Sequence, residues 1–322
     1  MFTSTVQPRG VRLDRRQLLT GIVGGLLGGL ILPRRAAAQQ PGVIQLNDRL
    51  SLVTTGRTNV LALTAPDGLV VVDSGAPELS GRLMESLRPS VPPSPASARQ
   101  AIHTVFNTHW HIENTGANDA LRQAGAAIIA HENTRLWMAT PIWIPEKDRY
   151  QAPRPKTSHP TKTFYANGSM NAGGERIDYG YLIDAHTNGD IYVFFRDSNV
   201  LAVGDVASSV RDPELDYLTG AWIGGRLDAL TRLLDLSKPD TRIVPGFGPA
   251  MSRADLQAER DMMKTIYDRA VDRVREGDSA DDMIEAGVLR GLPRTLSDPT
   301  RFIHSVHKGL WAHHNKLAAN VV

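Results

Sequence analysis

The chain has 322 residues, with 36 Lys and Arg against 34 Asp and Glu, ten His and no Cys. The lack of cysteine excludes a disulfide scaffold, a thiolate metal site and a cysteine nucleophile, leaving imidazole and carboxylate as the strong metal ligands. With 22% charged and 41% hydrophobic residues the chain is neither disordered nor fibrous, and its length suits one large domain or two small ones.

The charge is unevenly placed. Residues 1–38 hold six Arg (Arg9, Arg12, Arg15, Arg16, Arg34, Arg35) and one acid, Asp14, which leaves 30 basic and 33 acidic residues beyond. Arg15-Arg16 precede an apolar run from Leu18 to Leu32 that contains five Gly, followed by Arg34-Arg35-Ala36-Ala37-Ala38. This segment resembles a twin-arginine export signal, with cleavage expected after Ala38. The resemblance implies the twin-arginine export machinery as a partner and a periplasmic or otherwise exported product. An uncleaved membrane anchor is the alternative, though the run is short and Gly-rich for a span of roughly 20 apolar residues.

Residues 39–322 read as one domain with a helical extension from about 252 to the C-terminus. A β-meander comes first: 43–46, 50–53, 60–63 and 69–72, the last two joined at Ala65-Pro66-Asp67-Gly68 as a hairpin. A helix from Glu78 to Leu87 and a Pro/Ser loop from Pro89 to Ser97 follow. Next stand a strand at 101–106, a helix at 118–123, a strand at 126–130 and a helix at 133–139. Residues 140–163, with five Pro, read as a long loop without secondary structure, the usual form of a lid. Its Trp143, Tyr150, Lys147, Lys156 and Lys162, with Trp137 beside it, either contact substrate or anchor the loop. Asn167-Gly168-Ser169 matches a glycosylation sequon and reads more simply as a turn. Strands at 176–183, 191–195 and 200–203 come next, then a helix at 222–236, a strand at 242–244 and a long helix from Ser252 to about Glu276. Ser252 and Asp255 form a weak capping box. Two more helices are expected near 279–289 and 300–316. Two packed sheets with helices outside is the natural layered solution.

The chemistry concentrates after the 101–106 strand, in Thr108-His109-Trp110-His111-Ile112-Glu113-Asn114. In extended backbone His109, His111 and Glu113 point to one side. Two such His need a third ligand from elsewhere, and Asp184-Ala185-His186-Thr187-Asn188-Gly189-Asp190 offers one between two strands. Three His satisfy a catalytic zinc with a position left for water. Leu201-Ala202-Val203-Gly204-Asp205 sets a further acid at a strand end.

This ordered set, closed by Pro245-Gly246-Phe247-Gly248-Pro249 and opened by Asp73-Ser74-Gly75, resembles the metallo-β-lactamase-fold hydrolases over about residues 43–250. The resemblance implies an α+β fold, a four-layer αββα sandwich with metals at the sheet edges. It implies a first zinc site of His109, His111 and His186, with Asp205 able to bridge. The second site keeps Glu113 and Asp205 but has Asn114 and Phe247 where the family has His. Two oxygen ligands suit zinc poorly, so one zinc is expected, with the second site weak or empty. Glu113 or Asp205 would orient the water or act as general base.

The expected function is an exported zinc-dependent hydrolase acting with metal-activated water on an ester, lactone, amide or related bond of a small molecule. The altered positions argue against a β-lactamase in particular. The alternative is a non-catalytic metal-binding accessory protein on the same fold. Asn114 contacts metal or substrate, or caps a turn. His131 reads as structural; His304 and His307 form a solvated helix face or an adventitious metal patch. His103 and His159 carry no role, and Trp222 with Gly224-Gly225 opens a helix for packing. No Walker loop, basic recognition helix or RNA-binding aromatic pair is present, so no nucleic-acid partner is expected.

Overall fold

The computed structural model describes residues 42–54, 56, 58–88, 102–144 and 148–313. The export-signal segment, the whole Pro/Ser loop at 89–97, and Lys147 lie outside the described residues. No helix among them is long and apolar enough to cross a membrane.

The first sheet begins with the meander β1 (Gly42–Gln45), β2 (Leu50–Thr54), β3 (Asn59–Ala65) and β4 (Gly68–Val72). Each strand pairs antiparallel with the next, and Pro66-Asp67 forms the expected turn of the β3–β4 hairpin. After α1 (Ser80–Leu87), β5 (Ile102–Phe106) joins β4 in parallel. A short α2 (Ile112–Thr115) and α3 (Asn118–Gln123) lead to β6 (Ala127–His131), parallel to β5, and then to α4 (Glu132–Ala139).

Residues 140–163 differ from the loop expected of them. They contain a small hairpin, β7 (Ile142–Ile144) with β8 (Arg149–Gln151), in which Trp143 faces Tyr150. They end in β9 (Lys162–Phe164), which adds to β6 as the sheet's last strand. Trp137 donates from Nε1 to Asn188 Oδ1 at 2.6 Å, and Trp110, Met138 and Ile142 form an apolar cluster beneath. The segment is therefore tied to the domain along much of its length.

The second sheet holds β10 (Asn167–Ala172), β11 (Glu175–Tyr181), β12 (Ile191–Phe195), β13 (Val200–Gly204) and β14 (Arg242–Pro245), in that spatial order. Asn167-Gly168-Ser169, read as a turn, lies instead in edge strand β10, whose Asn, Gly and Ser carry no β signal of their own. Helix α5 (Ile223–Leu236) carries the chain from β13 to its parallel partner β14. Helix α6 (Arg253–Glu276) starts from a full capping box of Ser252 and Asp255. Short α7 (Ala280–Glu285) and α8 (Pro299–Ala312) complete the described chain.

Period-two alternation sorts the side chains into layers. Leu50, Leu52, Leu61, Leu63, Val70 and Val72 meet Ile177, Ile191, Val193 and Phe195 between the sheets. Val60, Ala62, Leu69 and Val71 turn the other way, onto Leu83 and Leu87 of α1 and Leu121 of α3. On the far side Tyr192, Phe194, Leu201 and Val203 pack under α5, α6 and α8. This is the expected four-layer αββα sandwich. Both faces of the central strands are covered, so β2, β4, β12 and β13 are buried at every position.

Candidate metal centre

The site forms at one edge of the sandwich, where chain ends from both sheets converge. His109 and His111 follow β5, and His186 lies between β11 and β12. Asp205 follows β13, and Gly246-Phe247 follow β14. Backbone conformations are unusual here: Asp73 has φ 62° and Gly204 φ 54°, and a Cβ on Gly204 would lie 2.6 Å from Thr108 Oγ1. Gly246 is required for a similar reason, because a Cβ there would collide with Asp205 Oδ1.

The three expected imidazoles come together. Their ligand atoms lie within 4.8 Å of one another. The rings stand edge-to-face in every pairing, with centroids 4.7–4.8 Å apart and interplanar angles of 84–85°.

The outer nitrogens fix the protons. His111 Nε2 faces Asp216 Oδ2 at 3.0 Å, and His186 Nδ1 faces the Glu214 carbonyl at 2.9 Å. Both partners are acceptors, so both ring nitrogens donate. His109 Nδ1 lies 3.1 Å from Thr108 Oγ1, whose own proton goes to Asp73 Oδ2 at 2.8 Å. Thr108 Oγ1 therefore accepts as well. In the neutral rings this leaves lone pairs on His109 Nε2, His111 Nδ1 and His186 Nε2. His111 Nδ1 and His186 Nε2 face each other at 3.0 Å, and buried His109 Nε2 has no hydrogen-bond partner. Lone pairs so placed call for a cation. Three neutral imidazoles, each held from behind by an acceptor, fit zinc with a fourth position open.

Burial drives the His109 pKa well below its usual value, aided by His186, His111 and Arg211. Burial also lowers His186, with the His111 charge second. Burial pulls His111 down too, but the Asp216 hydrogen bond and the Asp216, Glu214 and Asp205 charges outweigh it and raise its pKa. Burial raises Asp73 to about 7 against hydrogen bonds from Asn114 and Thr108.

The remaining site residues stand around this group. Asp205 Oδ2 accepts from Arg211 Nη1 at 3.0 Å, and its buried Oδ1 has no hydrogen-bond partner. Glu113 lies in the first turn of α2, outside the three-imidazole group, where its charge acts on Arg154. Asn114 is buried and donates from Nδ2 to Asp73 Oδ2 at 2.9 Å. Phe247 takes the Arg211 guanidinium over its ring, 5.8 Å from the centroid.

Sequence reasoning missed Asp216, Glu214, Arg211 and Arg226. All four belong to, or hold, the segment between β13 and α5, which has no periodic pattern to draw attention to it. Their signal lies in partners far away along the chain, such as His111, 105 positions from Asp216. The other described histidines have partners outside the site. His131 caps α4 and stacks on Tyr181 with centroids 3.9 Å apart, and His313 stacks on Trp222 at 4.7 Å. His304 pairs with Asp281 at 3.1 Å, and His307 lies 2.9 Å from Trp311 Nε1.

A cavity of about 850 Å³ adjoins the centre, walled by Arg211, Glu214, Asp216, Ile144 and the α8 residues Arg301 and Lys308. None of the three imidazoles lines it, but its wall residue Asp216 touches His111 at 3.0 Å.

The chain is 22% identical over 240 residues to the 2,4-dinitroanisole O-demethylase subunit alpha of Nocardioides sp. (strain JS1661), covering 74% of this chain and 66% of that protein. It is 23% identical over 208 residues to the metallo-beta-lactamase type 2 of Bacillus sp. (strain 170), covering 64% of this chain and 73% of that one. Among solved structures, a metallo-beta-lactamase from Pontibacter korlensis superposes with a TM-score of 0.54 at 17% identity, over 70% of this chain and 99% of that one. A stereoselective inverting sec-alkylsulfatase from Pseudomonas sp. superposes with a TM-score of 0.61 at 14% identity, over 88% of this chain and 52% of that one. Residues 53–265 match the Metallo-beta-lactamase superfamily, and with the αββα sandwich and the three converging imidazoles in place, the chain belongs to that superfamily.

Proposed function

We propose that the protein is a metal-dependent hydrolase that holds one zinc ion through His109 Nε2, His111 Nδ1 and His186 Nε2. One observation carries this reading: three lone pairs are turned inward by acceptors behind each ring, two of them facing at 3.0 Å. Zinc in such a donor set supplies Lewis acidity, which lowers the pKa of water to roughly 7 and polarises a carbonyl, phosphoryl or sulfuryl oxygen.

The chain's own residues supply the rest. The cavity beside Asp216 receives a small molecule, and α8 forms one of its walls. Asp205 is the proposed general base, since its buried Oδ1 is left without a partner. Glu113 is the second acid proposed to orient water. The substrate bond is an ester, lactone, amide or related linkage. The relatives support this breadth rather than any one choice, because their names span a lactamase and an ether demethylase subunit. A built cavity beside the metal group favours the enzyme over a non-catalytic accessory protein.

The test is zinc content together with turnover on chromogenic esters, lactones, β-lactams and sulfate esters. His186→Ala is expected to lose both zinc and turnover. Asp205→Asn and Glu113→Gln are expected to keep zinc and lose turnover. Zinc-loaded protein inert toward the whole panel would favour the accessory role. We further propose that residues 1–38 direct twin-arginine export to the periplasm. Replacing Arg15 and Arg16 together with Lys is expected to leave the protein in the cytoplasmic fraction.

A further inference from the structure

We propose that the Arg211 guanidinium is the second cation of this site: it takes the place beside Asp205 that a second metal ion would need, and so makes the centre mononuclear. The inference rests on the metal-centre reading above and supplies a physical reason for a single ion.

Asp205 is the acid that a second ion would have to share. Its Oδ2 already accepts from Arg211 Nη1 at 3.0 Å. Arg211 Nη2 lies 3.5 Å from Glu214 Oε2, so two carboxylates hold the same guanidinium. Phe247 supports it from another side, with Cζ 5.8 Å from the ring centroid. An aromatic face attracts a guanidinium and offers no lone pair to a metal. Phe247 thus removes a ligand and adds a seat for the replacing charge.

The other donors are equally unsuited to a second zinc. Asn114 spends its amide N–H on Asp73. That leaves Asn114 Oδ1 and Asp205 Oδ1 as buried oxygens without hydrogen-bond partners. Two oxygens make a poor zinc sphere. A divalent ion drawn to Asp205 would also meet the positive charge of the guanidinium held there. Arg211 also lines the large cavity, which places its positive charge beside the space where substrate would sit. The charge that a second metal would bring to that space is provided by the chain.

The experiment counts zinc ions per chain by native mass spectrometry and by calorimetric titration. It compares wild type, Phe247→His and Arg211→Ala/Phe247→His, with circular dichroism establishing that each is folded. One, one and two ions are expected, because restoring the imidazole creates a second site only once the guanidinium is gone. Two ions in wild type or in Phe247→His would overturn the proposal, as would one ion in the double variant. All three outcomes leave the three-imidazole centre standing. No zinc in folded wild type would overturn the metal-centre reading and this proposal together. If the double variant does not fold, Arg211→Gln/Phe247→His takes its place under the same expectations.

Discussion

Asp216 governs how readily His111 gives up its proton. Burial alone would depress the imidazole pKa, yet the hydrogen bond and charge of Asp216 raise it. A metal at His111 Nδ1 must displace whatever proton that nitrogen carries. Zinc affinity should therefore rise with pH until the raised His111 pKa is passed, and then level off. Asp216→Asn removes the charge and lowers that pKa. The onset of zinc loss on acidification should move to lower pH. Affinity at pH 8 should fall about 10- to 100-fold, as for other partners that orient metal ligands. A competition titration with a zinc chelator across pH 5–8.5 measures both. Thr108 orients His109, accepting a hydrogen bond from its Nδ1–H and donating its own hydroxyl to Asp73. Thr108→Val leaves that buried N–H unpaired and should destabilise the protein by about 1–3 kcal/mol in urea denaturation.

At the scale of elements, the segment between β13 and α5 is held by one buried guanidinium. Arg226 of α5, 1% exposed, donates from Nη1 to the carbonyls of Asp205 at 3.2 Å and Glu214 at 3.1 Å. The Glu214 carbonyl is also the acceptor behind His186. Glu259 on α6 balances the charge, 3.8 Å from Arg226 Nη2 and 3.1 Å from Arg294 Nη2. Arg226→Met breaks a buried pair and should cost about 3–5 kcal/mol, read from the denaturation midpoint. It should also lower zinc occupancy, because the carbonyl behind His186 loses its support. None of this was legible in the sequence, where an Arg in an amphipathic helix reads as a surface residue. The capping box of α6 was legible, because its partners lie three residues apart. So were the meander and the pair His109 and His111, where local spacing carries the information; His186, 75 positions beyond His111, was reached only as a third candidate in a polar loop between two strands. Strand β10 was not, because its Asn, Gly and Ser carry no strand signal of their own, and hairpin β7–β8 was not, because two three-residue strands within a Pro-rich stretch are too short to show a pattern.

For the whole molecule, the C-terminal extension is part of the main core. Phe302, Ile303, Val306 and Leu310 of α8 are buried with Leu230 and Leu233 of α5 and Met262 and Met263 of α6. Burying each such side chain contributes about 1.5–3 kcal/mol, against a total stability of about 5–15 kcal/mol for a typical domain. A chain ending at Ser297 should therefore fail to accumulate as folded, soluble protein. Phe302→Ala in the full chain should fold and lose about 3–5 kcal/mol, measured by thermal and chemical unfolding. The same helix walls the cavity, so fold stability and substrate space depend on one element.

His111 comes from the end of one sheet's strand and His186 from the other sheet, 75 positions later. An ion bound to both closes a loop of that length across the two halves of the sandwich. In a chain without cysteine, this coordinate cross-link can do what a disulfide does elsewhere. By chain-entropy reckoning, closing such a loop is worth about 4.5 kcal/mol. Chelation should therefore lower the melting temperature and speed unfolding even in a variant that has lost turnover, such as Asp205→Asn.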